Sequence, residues 1–116
     1  MEIKTYAKEA FRTTAHLDSL QLDSYHMLMG IATETGELFD AYKKELAYNA
    51  TLDLVNVSEE IGDLMWYIIN FCTFNNLDLE NILEKNIAKL KERYPEKFTK
   101  KNALNRDLVK ERSVLE

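Results

Sequence analysis

Only three glycines, one proline and one cysteine interrupt 116 residues. So few chain breakers exclude a fold of many short strands joined by tight turns and favour long helices. A single Cys72 excludes an internal disulfide. Set in an apolar run, it reads as a small core residue of a reducing compartment. Basic side chains are too few: 15 Lys and Arg against 20 Asp and Glu leave a net charge of −5, which excludes a nucleic-acid binder that works through a basic face. No stretch supplies the roughly 18 apolar residues that a bilayer span needs, and the first residues lack a leader pattern. The expectation is a cytoplasmic protein without nucleic-acid or membrane partners.

Apolar residues make up 46% of the chain and charged residues 30%, the balance of one globular domain. Ile3, Tyr6, Ala7, Ala10, Phe11 and Thr14 form one helical stripe over 2–15. Asp23 or Ser24 is placed to cap a second helix that runs to about Ala47, with Met27, Leu28, Ile31, Leu38, Phe39, Tyr42 and Leu46 on its apolar side. Residues 48–56 break the pattern. Asn56 with Glu59 resembles a capping box for a third helix over about 57–75. That helix is apolar nearly all round and must be surrounded, in part by another subunit. Asp78 can cap a fourth helix through about Arg93, which Pro95 stops. These spacings predict an all-α bundle of four main helices, assembled as a homodimer or a dimer of dimers. The domain spans 1–98, and 99–116 is a charged tail with room for one short helix.

The chemistry lies in carboxylates inside these apolar helices. Glu34 and Glu37 are three residues apart and face the same way on helix two, as do Glu60 and Asp63 on helix three. Acids on the most apolar helix are costly unless something positive compensates, and that helix contains no Lys or Arg. Hard oxygen ligands on two helices suit Mg²⁺, or Mn²⁺. The alternative is a solvated acidic face, the reading retained for Asp40, Glu45 and Glu59. A di-iron bundle needs Glu-x-x-His on two helices. His16 and His26 do not supply it, and Asp23-x-x-His26 has no counterpart. Both histidines read as ordinary polar or core residues.

Glu34-x-x-Glu37 followed by Glu60-x-x-Asp63, within MGIATETGELFDAYKK, EEIGDLMWYI and EKNIAKLKERYPEKF, resembles the MazG-like all-α nucleoside-triphosphate pyrophosphohydrolases. YPEKF followed by NRDLVKER is similar to a phage-type subgroup of that family. The resemblance implies that Glu34, Glu37, Glu60 and Asp63 hold one or more Mg²⁺ ions. In such a site the metal bridges the triphosphate and helps activate a water that releases pyrophosphate and a nucleoside monophosphate. Glu34 or Glu37 is implied as the general base, a choice that spacing leaves open. Lys44, Lys89 and Arg93 are candidates for phosphate contacts. Lys89 and Arg93 share one face of helix four with Asn86, although a solvated basic stripe has the same pattern. Tyr67, one turn after Asp63, can stack on a base or bond a sugar, whereas Trp66 reads as core or interface. Arg106 and Arg112 either fold over a neighbouring site or belong to a mobile tail. Two rival functions remain, a phosphoribosyl-ATP pyrophosphohydrolase and a non-catalytic interaction or regulatory protein on the same scaffold.

Overall fold

A computed structural model describes residues 1–116. It contains six helices and no strand: α1 (Ile3–Phe11), α2 (Leu20–Tyr48), α3 (Leu54–Phe74), α4 (Leu79–Arg93), α5 (Lys100–Leu104) and α6 (Leu108–Leu115). The four expected helices are therefore present, with two short ones added in the tail. None is long and apolar enough to cross a membrane. The chain divides into two compact units, Met1–Leu77 and Asp78–Glu116.

In the first unit, α2 and α3 form an antiparallel hairpin, and α1 packs on α3. The numbering runs in opposite directions along the pair. Asn75 Nδ2 donates to Ser24 Oγ over 3.0 Å, the Tyr67 ring lies on Gly30, and Glu60 and Asp63 meet Glu34. Met27 and Ile69 are among the buried residues of this unit. Phe11, His16 and Phe74 make three edge-to-face ring contacts with centroids 5.2–5.8 Å apart. His16 makes these ring contacts while remaining exposed.

Several helix ends differ from their expected places, and local hydrogen bonds explain each shift. Helix α1 stops at Phe11 rather than near residue 15 because Thr13 and Thr14 hydroxyls donate to the Ala10 and Phe11 carbonyls, taking groups a continued helix would bond. Helix α2 starts earlier, capped by Ser19, whose side chain accepts from the Leu22 amide. Asp23 is instead buried and accepts from the Leu17 amide at 2.7 Å, which ties down the preceding turn. Helix α3 also starts early. Asp53 accepts from the Val55 and Asn56 amides, so Asn56 is a first-turn residue and not the cap. At the other end of the connection, α2 finishes on Asn49 in the left-handed conformation at φ 53°, which Asn tolerates better than most residues. The five residues 49–53 complete the turn into α3.

The second unit pairs α4 with α6. Asp78, Thr99 and Asp107 cap its three helices through side-chain oxygens. Lys85 Nζ donates to the Leu115 carbonyl over 3.0 Å, and Lys110 pairs with Glu92 at 3.8 Å, so the two helices run in opposite directions. At their centre lies Glu111, only 3% exposed. Arg93 Nε donates to its Oε1 at 2.6 Å, and Arg106 Nε donates to Oε2 at 3.0 Å. Part of the tail expected to be free or merely charged is therefore locked to α4 by a buried carboxylate.

Candidate active site

The hairpin decides which acids meet. On α2, Glu34 and Glu37 occupy successive turns of one face. Glu60 and Asp63 do the same on α3, about two turns in from its first residue, Leu54. Carboxylate oxygens of Glu34, Glu60 and Asp63 all lie within 4.8 Å of one another. Glu34 and Glu60 are half-buried and Asp63 is exposed. A six-coordinate Mg²⁺ at ~2.1 Å from each oxygen spreads its ligands over about 3–4 Å. The cluster therefore has the chemistry and roughly the size of a partial Mg²⁺ shell.

The electrostatics agree with that fit. The carboxyl of Glu60 is held above the usual glutamate range. Its hydrogen bond with Glu34 is the main cause, followed by partial burial and by the charges of Glu34, Glu37 and Asp63. Like charges this close favour sharing a proton over full ionisation, and a divalent cation would relieve the same repulsion. Glu37 is exposed and outside the three-oxygen group, yet close enough to act on Glu60.

Around this centre the candidates separate. Lys44 is tied to Asp40 by a 2.7 Å ion pair. The bond with Asp40 lowers the aspartate's pKa and raises that of the lysine. Both line a polar cavity of ≈ 340 Å³ that continues from Glu37 to the α2–α3 turn, with Thr51, Asp53 and Asn56 on its far side. Tyr67 packs on Gly30, where any Cβ would collide with its ring, and makes edge contacts with Trp66 and His26. Trp66 turns away and donates from Nε1 to Thr13 Oγ1 over 2.9 Å. Asn86, Lys89 and Arg93 all belong to the second unit. Asn86 is exposed and Lys89 half-buried, whereas Arg93 is engaged by Glu111.

One residue at the acid face has no signal in the sequence. Burial, and after it the charge of Asp63, pushes the Tyr6 phenol above its ordinary pKa. In the sequence Tyr6 is one apolar position of the α1 stripe. Only the packing of α1 on α3 brings it to Asp63.

A family model for the MazG nucleotide pyrophosphohydrolase domain matches residues 23–98, a span that takes in all four acids. The chain belongs to this family. Comparison with curated proteins and with solved structures gives no match. The MazG assignment agrees with the all-helical fold and supports nucleotide pyrophosphohydrolase activity in general.

Proposed function

We propose that this MazG domain hydrolyses a nucleoside triphosphate, or its deoxy counterpart, to the monophosphate and pyrophosphate with Mg²⁺ as cofactor. The observation that carries the reading is the convergence of Glu34, Glu60 and Asp63 oxygens within 4.8 Å, inside a MazG match. These three residues would hold Mg²⁺, with Mn²⁺ as a substitute, and Glu37 stands beside them. When bound, the ion neutralises charge on the phosphates and lowers the pKa of water.

The chain's own groups divide the remaining work. Glu34 and Glu60 stand in the three-oxygen group with Asp63 and would be committed to the ion. That leaves the exposed Glu37 as the carboxylate best able to take a proton from the attacking water. Lys44, positioned by Asp40, faces the same cavity as Glu37 and offers a cation for phosphate oxygens. Tyr67 presents a ring one turn beyond Asp63.

The protein acts as a homo-oligomer in this proposal. Phe39 and Ile61, 73% and 50% exposed, border an apolar surface that includes Leu38, Tyr42 and Val57 and suits a second copy. The activity is tested by incubating purified protein with Mg²⁺ and each common nucleoside triphosphate, then resolving products by ion exchange. Monophosphate plus pyrophosphate is expected. Diphosphate plus orthophosphate would overturn the proposal. Light scattering tests the assembly, and a stable 13.6 kDa monomer would exclude it.

A further inference from the structure

Asn70 is the most enclosed polar side chain in the protein, at 0% exposure. Neither its Nδ2 nor its Oδ1 has a hydrogen-bond partner. An amide offers two donors and an acceptor, and native interiors rarely leave such a group unpaired because doing so costs stability. Its place on α3 is specific. Asn70 follows Asp63 by seven residues and Tyr67 by three, so all three lie on one face. Helical rise sets it about 10 Å from Asp63 along the axis. That is the scale of one nucleoside, from the oxygen that carries its phosphates to the far edge of its base.

A second unpaired group stands on the opposing helix. His26 Nδ1 is buried without a partner, and the His26 ring meets Tyr67 edge-on at 6.3 Å. Between Asp63 and Asn70, the Tyr67 ring occupies the space left at Gly30 by the absent side chain. The face facing α2 therefore runs from the acid group, past a ring seated on bare helix backbone, to two unpaired polar groups.

We infer that Asn70, assisted by His26, reads the base of the substrate in a slot at Gly30 that opens when the Tyr67 ring swings aside. This rests on the nucleotide reading proposed above and deepens it. An asparagine amide matches a base edge with adjacent donor and acceptor atoms, as it does on the N6 and N7 of adenine. The ligand class is a triphosphate that carries a base. A triphosphate without one leaves the buried amide unpaired, and a site built around polar groups discriminates strongly against such an analogue.

The test compares kcat/KM for the common ribo- and deoxyribonucleoside triphosphates with that for ribose 5-triphosphate, in wild type and in Asn70→Leu. The ratio of the favoured nucleotide to the base-free compound is expected to fall ~10-fold or more. The ligand-free variant should melt at or above the wild-type temperature, since an unpaired buried amide has been removed. An unchanged ratio overturns the inference. Should Asn70→Leu fail to fold, Asn70→Asp keeps the size and removes the donor. It should change the order of preference among bases, and an unaltered order overturns the inference. Calorimetric binding of nucleosides separates this inference from the parent proposal. Wild type that hydrolyses no nucleotide, yet binds a nucleoside in a manner lost in Asn70→Asp, keeps the base site and removes the pyrophosphohydrolase. Turnover of nucleotides with the same ratio in the variant does the reverse.

Discussion

The two units each gather acidic residues under partial or full burial and treat them in opposite ways. In the second unit, Glu111 is buried and two guanidiniums hold it. Burial pushes its pKa up, but the bonds from Arg93 and Arg106 outweigh burial and leave it below the usual glutamate value. In the first unit, Glu60 is crowded by Glu34, Glu37 and Asp63, its own helix α3 carries no lysine or arginine, and its pKa is raised. A buried charge whose partners are supplied by the chain is structural. A cluster of like charges left to repel each other is what the proposed metal site requires. Charge neutralisation should therefore have opposite consequences in the two units.

The largest effect is expected from breaking the acid cluster. Asp63→Asn or Glu60→Gln should lower kcat by about 1,000-fold or more, because metal-borne charge stabilisation is worth several kcal/mol. Circular dichroism should show the helices intact. Pyrophosphate release at wild-type rates in either variant would make the cluster an ordinary acidic surface.

Stability should then show the opposite order. Glu111→Ala strands two arginines around an empty carboxylate site and should lower the melting temperature by about 5 °C or more. Glu60→Gln, measured with EDTA, should leave it unchanged or raise it. Millimolar Mg²⁺ should raise the wild-type melting temperature by a few degrees through binding to the folded state alone, and Glu60→Gln should lose most of that rise. Equal Mg²⁺ shifts in both proteins would dissolve the contrast.

The pH dependence sharpens the same comparison. A raised carboxyl pKa means the folded state holds its proton more tightly than the unfolded state. The contribution of Glu60 is thus most favourable below the ordinary glutamate pKa and is lost as pH rises through its folded value. A lowered pKa has the reverse sign. The stabilisation from Glu111 is present above the ordinary glutamate pKa and is lost as pH falls through its folded value. Metal-free Glu60→Gln should therefore gain most over wild type near neutral pH, whereas Glu111→Gln should lose most there. Melting curves between about pH 4 and 7 measure both, and parallel curves for the two variants would contradict the assignment.

The smallest effect concerns α4. Lys89→Ala should raise KM several-fold with little change in kcat if it contacts phosphates equally in the ground and transition states. Arg93→Ala should resemble Glu111→Ala in stability, since the same buried bond is broken, and any rise in KM comes in addition. Steady-state kinetics with parallel melts separates the two lysine and arginine roles.

Much of the candidate site is written in short-range spacing. Glu34 with Glu37 and Glu60 with Asp63 sit three residues apart, and helical periodicity alone puts each pair on one face. The absence of lysine and arginine from α3 marks its acids as unusual from the sequence alone. Likewise the scarcity of glycine and proline determines the all-helical class, because no other regular structure runs so far without turns. Helix ends were less legible. Ser19, Asp23, Asp53 and Asn56 are all competent caps by residue type, and the choice among them depends on which amide each one finds.

Tertiary packing decided the remainder. That Glu60 meets Glu34 and Asp63, while Glu37 stands outside, follows from the register of the hairpin, which brings together residues far apart in sequence. That Tyr6 answers to Asp63, that Glu111 disappears between two arginines, and that Asn70 is sealed without a partner are likewise results of long-range contact. Periodicity specifies the face of a helix on which a side chain lies. Only the fold specifies what that face meets, and burial, pKa and partnership all depend on that meeting.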